Sequence, residues 1–243
     1  MMRTKIVPVS NVARLSAASE ALLDRAAGMP GMGLIHGDTG LGKTTAVTWL
    51  ITRNNGVYVR ALSTTTPSSL LRTIARELDL DPRPSNVETV EAIVQRLAET
   101  GRPLFVDEAD YLVNRAALVE TLRDIHDLAT VPVVLIGMAG IQRKIKARQQ
   151  LTGRIAQWVE FQPATREDVR LLAQHLAEVE IDDALLGALH EATHGSMRLA
   201  VVGLSHIEAR AKAKGQKRIG LADWPAGTNF FFGDAPRRPA KAA

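Results

Sequence analysis

Short apolar runs alternate with stretches of helical apolar spacing along the first two-thirds of the chain. From Asn11 to Ala27, apolar residues recur every three or four positions, which predicts an amphipathic helix. Five later runs are short and largely apolar, and we interpret them as strands: Gly33–His36, Val57–Leu62, Leu104–Val106, Val131–Ile136 and Ile155–Phe161. Runs of this kind are typical of a parallel sheet that is covered on both faces.

Helices are predicted between these strands. Lys43–Arg53 follows a glycine-bearing loop, and Thr66 with Pro67 forms an N-cap and first-turn pair for the next helix. Two prolines make residues 81–85 a loop. The apolar stripes of three helices comprise Leu70, Leu71, Ile74 and Leu78; Val87, Val90, Ile93, Val94 and Leu97; and Leu118, Leu122, Ile125 and Leu128. Strands that alternate with helices predict an α/β domain with helices on both faces of a five-stranded parallel sheet.

The pattern changes after Pro163. Residues 166–179, 182–193 and 196–214 have helical spacing with no strand predicted between them. We therefore divide the chain into an α/β domain over residues 1–163, a small all-helical lid over 164–218 and a tail over 219–243. The tail contains glycine, proline and scattered cations, and we expect it to be partly disordered, with Phe230–Phe232 able to dock.

Composition narrows the classes of function. The chain has 243 residues, of which 46% are hydrophobic, and its formal net charge is +4 with a pI of about 9.6. This modest basic excess permits nucleic-acid binding without requiring it. The absence of cysteine excludes a disulfide framework, a cysteine-based zinc finger and a thiol nucleophile. No apolar run reaches the roughly 18 residues that a membrane span needs, and no signal peptide is visible, so we expect a soluble cytoplasmic protein with no membrane partner.

The most specific motif is the segment Gly37–Thr44, which matches G-x-x-x-x-G-K-[ST] in full. Its glycines let backbone N–H groups approach a phosphate chain, and the helix that follows directs its positive end to the same place. Lys43 adds a full charge toward the β- and γ-phosphates, and the Thr44 hydroxyl is placed to ligate Mg²⁺. The predicted ATP-binding residues are Gly37, Asp38, Thr39, Gly40, Leu41, Gly42, Lys43, Thr44 and Thr45.

A second motif is an acidic pair at the end of the third predicted strand. Asp107 and Glu108 follow Leu104–Val106, and ligands sit at the carboxyl edge of open α/β sheets. Alone, such a pair is more often a solvated loop, but about sixty residues after a P-loop it indicates a catalytic site. We assign Asp107 to Mg²⁺, through a water, and Glu108 to the orientation and deprotonation of the attacking water. No Asn-Lys-x-Asp element is present, which argues against a GTPase.

These motifs and the helical lid together resemble the AAA+ ATPases. Over roughly residues 10 to 210 the chain is most similar to transposition ATPases of the MuB and TnsC type, from transposing phages and transposons. That narrower likeness depends on the compact size, the helix directly before the P-loop and the strand end Leu135–Met138. The resemblance implies an ATPase that assembles as a filament or ring on double-stranded DNA, largely without sequence preference, and recruits a transposase. ATP hydrolysis would then disassemble it, in the cytoplasm of a bacterial host if a phage encodes the chain.

The same resemblance implies roles for two arginines. Arg198, at the start of the last lid helix, matches a sensor-two arginine that contacts the γ-phosphate, with an ordinary surface arginine as the alternative. Arg154, just before the fifth strand, matches an arginine finger that completes a neighbouring subunit's site, with a salt-bridged surface residue as the alternative. The fourth strand departs from the family because it ends in Gly137–Met138, without the usual polar residue, which predicts slow turnover.

DNA contacts are expected from the ATPase assembly itself, because the chain has only about thirty residues before its first predicted strand. The resemblance implies a loop that follows the phosphate backbone, and here that loop is 81–86 with Arg83 as its cation. A second candidate set follows the fourth strand and comprises Arg143, Lys144 and Lys146. Tail cations, Arg237, Arg238 and Lys241 among them, could add non-specific attraction. A merely solvated charged face is an equally weighted interpretation of each cluster.

Three other functions stay open at this stage. A helicase loader or replication initiator would share the same ATPase core. A small-molecule phosphotransferase would share the P-loop, although such kinases usually lack both an arginine supplied in trans and a three-helix lid. A nucleotide-gated adaptor with negligible hydrolysis is compatible with the missing polar residue at the end of the fourth strand.

Overall fold

The computed structural model describes residues 2–3, 5–26, 28–225 and 227–231. The chain divides into two compact units. The first, here called the sheet unit, comprises Ala13–Thr39 and Lys43–Phe161. The second, here called the lid unit, comprises the segment up to Val12, Gly40–Gly42 and the chain from Gln162 onward. No helix among the described residues is long and apolar enough to cross a membrane.

The sheet unit contains a five-stranded parallel sheet, as the sequence predicts. Its strands are β1 (Met32–Gly37), β2 (Val57–Arg60), β3 (Leu104–Asp107), β4 (Val133–Met138) and β5 (Ile155–Glu160). They lie in the order β2-β3-β4-β1-β5, and every pairing is parallel. β4 starts two residues later than predicted because Pro132 has no N–H to contribute to a ladder. All five carboxyl ends therefore lie at one edge of the sheet, called the carboxyl edge below.

Among the described residues, seven α-helices precede the lid helices, and all the predicted ones are present. They are α1 (Ser10–Leu23), α2 (Lys43–Arg53), α3 (Pro67–Glu77), α4 (Asn86–Thr100), α5 (Ala116–Ala129), α6 (Ile141–Lys146) and α7 (Gln149–Thr152). Thr66 caps α3 as predicted, since its side chain accepts the Ser69 N–H. The short helices α6 and α7 and a 3₁₀ turn at Ala109–Tyr111 were not predicted, because elements this short show no apolar period.

Helices cover both faces of the sheet, as predicted for continuous apolar strands. On one face, Leu15 and Leu22 of α1 and Leu50 of α2 lie against Gly33 and Ile35 of β1. On the other face, buried side chains of β1 to β4 form one cluster with those of α3, α4 and α5, including Leu34, Val59, Ile74, Leu97 and Leu122. Two positions of the predicted apolar stripes lie outside the core: Val87 is 67% exposed and Leu128 is 64% exposed. They lie in the first turn of α4 and the last turn of α5, and periodicity alone does not show where the neighbouring element stops covering a helix.

The lid unit contains the three predicted helices, α8 (Arg166–Leu176), α9 (Asp183–Thr193) and α10 (Met197–Ala213). Each has a side-chain N-cap, from Thr165, Asp182 and Ser196 respectively. The structure adds a parallel pair of two-residue strands, β6 (Glu180–Ile181) and β7 (Arg218–Ile219), to the lid that the sequence predicts as all-helical. Two residues are too few for a strand to be recognised from alternation.

The described part of the predicted tail is packed. Trp224 stacks on Phe230 with ring centroids 4.9 Å apart, and the Phe230 and Phe231 side chains are buried. Phe230 and Phe231 thus lie in a small apolar cluster, and partial disorder of residues 219–243 stays a prediction. Phe232 and the cations Arg237, Arg238 and Lys241 lie outside the described residues.

Candidate functional site

The P-loop follows β1 at the carboxyl edge and leads into α2. Gly37 has φ +151°, and a Cβ there would lie 2.8 Å from the Phe161 carbonyl oxygen, so only glycine fits without a shift. Lys43 is the first residue of α2, and its Nζ donates to the carbonyl oxygens of Gly37 and Asp38, both at 2.7 Å. The ammonium group is therefore held over the loop that the sequence assigns to phosphates.

Charge around Lys43 favours its ammonium form. Burial lowers the pKa of Lys43, and four nearby carboxylates oppose that shift: Asp38, Asp107, Glu108 and Asp110. The site thus gathers one lysine and several acids at the carboxyl edge. This is an arrangement that can accept a phosphate chain together with a divalent cation.

The hydroxyl-bearing residues Thr44 and Thr45 lie exposed in the first turn of α2. Within the part of the chain that the structure describes, neither hydroxyl takes part in a hydrogen bond. A helix N-terminus that offers free N–H groups and a free hydroxyl suits an anion and its Mg²⁺. The predicted placement of both threonines is thus compatible with nucleotide binding.

Asp107, the last residue of β3, is fixed in orientation by two hydrogen bonds. Its Oδ2 accepts from the Tyr58 hydroxyl at 2.9 Å, and its Oδ1 accepts from the Glu108 N–H at 2.8 Å. Burial and the bond to Asp107 raise the pKa of Tyr58 to about 12, so Tyr58 stays a donor across the physiological range. Sequence reasoning missed Tyr58, because its role depends on the parallel pairing of β2 with β3.

Glu108 adopts a left-handed backbone conformation, with φ +55°, directly after β3. Its Oε1 forms an ion pair with Arg60 Nη2 at 3.2 Å, where the Glu108 side chain is 33% exposed and the Arg60 side chain 61%. Arg60 pairs with Asp107 in the β2–β3 register, which places it beside the acidic pair. Arg60 was also missed, although Tyr58 and Arg60 share the two-residue spacing of one strand face.

The end of β4 has no polar side chain in the structure, as the sequence predicts. β4 ends in Gly137 and the partly exposed Met138. A carboxylate from another element occupies this place, because Asp110 of the 3₁₀ turn accepts the Met138 N–H through Oδ2 at 2.7 Å. Asp110 was not singled out in the sequence.

Within the lid unit, the P-loop residues Gly40–Gly42 contact the start of α10. The Arg198 N–H donates to the Gly40 carbonyl oxygen at 3.0 Å, and a Cβ on Gly40 would lie 2.9 Å from Ser196 Oγ. The Arg198 side chain is exposed and, among the described residues, has no polar partner. The backbone of the predicted sensor arginine is thus tied to the P-loop.

Arg154 lies at the opposite end of the sheet from the P-loop. Its carbonyl oxygen accepts the N–H of Met32, the first residue of β1. Its Nε donates to both carboxylate oxygens of Asp127, at 2.7 and 2.9 Å, and its Nη1 donates to the Gln150 carbonyl oxygen. Arg154 correspondingly lowers the pKa of Asp127. This is the arrangement of a salt-bridged residue, the alternative that the sequence left open.

The predicted DNA-binding cations are exposed and belong to two separate stretches of chain. The Arg83 side chain is exposed, while its backbone N–H donates to the hydroxyl of the buried Thr89 at 3.1 Å. On α6, Arg143 and Lys144 are exposed and, within the described ranges, have no polar partner. Lys146 instead lies over the Trp158 ring, with Nζ 5.7 Å from its centroid. Arg83 thus has a fixed backbone, and α6 carries two unpaired cations.

The site fits a phosphate-bound magnesium ion better than a metal held by protein alone. Among the described residues, no group of three or more His, Cys, Asp or Glu side chains could hold a metal. Mg²⁺ in phosphate sites commonly uses only one or two carboxylates together with phosphates and waters. Asp107 and the exposed Thr44 hydroxyl match that requirement.

Comparison with known families and structures agrees with this geometry. A family model described as an AAA domain matches residues 27–145, which include the P-loop and the acidic pair. Members of this family generally hydrolyse nucleotides, with ATP and Mg²⁺ as the usual ligands. No curated protein gives a significant match to the chain.

Three solved structures with a similar fold are informative. The Aeropyrum pernix ORC2 protein, solved in ADPNP-ADP complexes, has a TM-score of 0.70 and 17% identity over 89% of this chain and 67% of its own. The Aeropyrum pernix ORC1 protein in complex with DNA has a TM-score of 0.59 and 20% identity over 86% and 61%. The Thermotoga maritima RuvB Holliday junction branch migration motor has a TM-score of 0.57 and 21% identity over 88% and 66%. The chain spans 61 to 67% of these proteins, and the likeness establishes the fold alone.

Proposed function

We propose that the chain is an ATP-dependent DNA-binding ATPase that assembles on duplex DNA, on the premise that residues 27–145, which match the model of an AAA domain, act as a P-loop ATPase domain. One observation carries the catalytic part of the proposal. Lys43, Asp107 and Glu108 lie together at the carboxyl edge, in one compact unit and in mutual electrostatic contact.

The residues divide the chemistry between them. The P-loop N–H groups and Lys43 would bind the phosphates, while Thr44 and Asp107 would hold Mg²⁺, which would supply positive charge to the phosphate oxygens. Glu108 orients the attacking water and accepts its proton as the oxygen bonds to the γ-phosphorus and the ADP oxygen departs. For Arg198, whose N–H donates to the Gly40 carbonyl oxygen within the lid unit, the proposed role is that of a sensor of the γ-phosphate.

The Arg60 ion pair gives this site a resting state. In this proposed state, the ion pair with Arg60 through Oε1 holds the Glu108 side chain away from the attacking water. If assembly breaks the ion pair with Arg60, Glu108 becomes available as the base. DNA phosphates can compete with Glu108 for the Arg60 guanidinium, because the Arg60 side chain is 61% exposed. Hydrolysis would then follow assembly on DNA and end it.

For the biological partner, two candidates have support of different kinds. The resemblance to the transposition ATPases favours a transposase that the ATP-bound assembly recruits. The fold shared with ORC1, which was solved in complex with DNA, favours an initiator or loader instead. We propose the transposase partner, and stimulation of strand transfer by the ATP-bound protein tests it. ATP-dependent deposition of a helicase without such stimulation would favour the initiator.

Arg83 is proposed as the main contact to DNA phosphates. Its backbone is anchored to Thr89 and flanked by two prolines, so the exposed side chain is presented at small entropic cost. We expect Arg83→Ala to lower affinity similarly on all duplex sequences and to flatten the dependence on salt, because fewer counterions are released. ATP binding should stay unchanged. DNA titrations at several salt concentrations, with ATP present, measure both quantities.

The control for this experiment is Arg102→Ala. Arg102 precedes β3 and donates to the Asn55 carbonyl oxygen, so its guanidinium is held at the amino end of the sheet. If Arg143→Ala weakens binding while Arg83→Ala behaves like the parent, α6 is the DNA surface. A parent protein that binds no DNA with ATP would contradict the proposed function.

Arg154 is proposed as an arginine finger that completes the site of a neighbouring subunit. For this role it would leave its ion pair with Asp127 and contact the γ-phosphate bound by that subunit. Such arginines contribute about 10³-fold or more to turnover. We therefore expect Arg154→Ala to remove the rise of specific activity with protein concentration while ATP binding is retained. Mixing Arg154→Ala subunits with Lys43→Ala subunits should restore part of the activity. At some mixed interfaces, the Arg154→Ala subunit supplies an intact Lys43 and the Lys43→Ala subunit supplies an intact Arg154.

Asp127→Ala separates the two interpretations of Arg154. It breaks the same ion pair but leaves the guanidinium available, so a finger predicts retained turnover in this variant. If Arg154 is only a structural partner of Asp127, both variants should lower the melting temperature alike and leave turnover per folded subunit unchanged. That result, or a specific activity independent of concentration, contradicts the finger.

A further inference from the structure

The end of β4 and the turn after β3 are linked by a side chain that no motif assigns. Asp110 lies in the 3₁₀ turn two residues after Glu108, and its Oδ2 accepts the Met138 N–H at 2.7 Å. The β4 end itself carries no polar side chain. The carboxylate therefore reaches the strand end from the segment that carries the proposed base.

Gly137 makes this approach sterically possible. A Cβ at Gly137 would lie 2.7 Å from Asp110 Oδ2 and 2.4 Å from Ile141 Cδ1, both closer than real Cβ contacts. Any larger residue at this position would push the carboxylate away from Met138. Gly137, which stands where a polar residue was expected at the end of β4, thus leaves the space that the Asp110 carboxylate occupies.

Glu108 requires external support for its position. Its backbone, at φ +55°, lies in the left-handed region that is unfavourable for residues with a Cβ, and such conformations persist only where their surroundings hold them. Its N–H donates to Asp107 Oδ1, and its carbonyl oxygen accepts the Tyr111 N–H at 3.0 Å. These two bonds are local to the turn, whereas the Asp110 bond ties the turn to the neighbouring strand.

We propose that Asp110 is a positioning residue for Glu108: it fixes the catalytic turn against the end of β4, where the strand itself offers no polar side chain. The inference rests on the proposed function, since it needs Glu108 to be the base. Asp110 acts through its hydrogen bond to Met138 and does not itself contact the phosphates. The strand end without a polar side chain is therefore compatible with turnover.

Three variants test this role in the full chain with ATP and Mg²⁺. Asp110→Ala removes the bond, and we expect kcat to fall by about 10- to 100-fold with KM unchanged, as for a small misplacement of a catalytic group. Asp110→Asn keeps an oxygen that accepts the Met138 N–H, so kcat should stay within a few-fold of the parent. Gly137→Ala should displace Asp110 and reproduce the Asp110→Ala loss. Asp124→Ala, at an exposed acid on α5, is the matched control and should behave like the parent.

A double variant shows whether Asp110 acts through Glu108. In the Glu108→Gln background, Asp110→Ala should cause no further loss, because the base it positions is already absent. Independent, multiplying losses would overturn the proposal, as would an unchanged kcat in Asp110→Ala or a loss in Asp110→Asn as large as in Asp110→Ala. A parent protein without ATP turnover would instead refute the proposed function and this inference with it.

Discussion

Replacing Lys43 with alanine should abolish ATP binding or weaken it severely. The variant loses the ammonium that is held over the loop by the carbonyl oxygens of Gly37 and Asp38. Each hydrogen bond between charged groups contributes about 1.5–3 kcal/mol, so losing contacts to two phosphates corresponds to roughly 100-fold or more in affinity. The remaining backbone N–H dipoles cannot supply a full charge. Equilibrium titration with a fluorescent ATP analogue measures the loss.

The matched control is Lys144→Ala, which removes one exposed lysine from α6 in the same compact unit. It should bind ATP like the parent. Unchanged nucleotide affinity in Lys43→Ala would contradict the assignment of the loop to phosphates. An equal loss in both variants would indicate a general effect of net charge.

Glu108→Gln should bind ATP but hydrolyse it far more slowly. The amide keeps the shape of the side chain and can still accept a hydrogen bond from Arg60, but it cannot take a proton from water. Loss of a general base typically lowers the rate by 10²–10⁴-fold. Asp107 and its bonds to Tyr58 and the residue-108 N–H remain in place, so Mg²⁺ binding should persist. Phosphate release measures the loss of hydrolysis, and a separate titration with nucleotide shows that binding is retained.

Glu120→Gln, at an exposed acid on α5, is the control for this substitution and should turn over ATP normally. The proposed function also requires the Glu108→Gln protein to accumulate on DNA with ATP, because hydrolysis is the step that ends the assembly. Normal turnover in Glu108→Gln would show that another group activates the water.

Local sequence predicted the parts of the site that are contiguous in the chain. The P-loop residues from Gly37 to Thr44 follow one another, and the Asp107–Glu108 pair follows its strand directly. Both segments could be assigned because spacing and residue type fix their chemistry. The alternation of strands and helices likewise predicted the five-stranded parallel sheet and the three lid helices.

Residues that act through strand pairing could not be predicted in the same way. Tyr58 and Arg60 reach the acidic pair only because β2 lies beside β3 in a register that sets Arg60 opposite Asp107. Asp110 accepts the Met138 N–H only because the 3₁₀ turn lies beside the end of β4. Strand order and register are properties of the fold, and the one-dimensional pattern contains neither.

The end of β4 is a second place where contacts between elements could not be predicted from the sequence. From the sequence, Gly137 suggests a gap in the catalytic machinery and slow turnover. In the structure, the space left by that glycine contains the Asp110 carboxylate. The carboxylate that reaches the end of β4 comes from the turn after β3, so a motif comparison confined to β4 could not find it.

ATP-dependent assembly on DNA is the central claim, and sedimentation of the Glu108→Gln protein with duplex DNA tests it most directly. With ATP and Mg²⁺ the protein should sediment with the DNA as a large assembly, and with ADP it should stay in the supernatant. The same protein carrying Lys43→Ala should stay in the supernatant with either nucleotide. Co-sedimentation to the same extent with ATP, with ADP and without nucleotide would contradict the account.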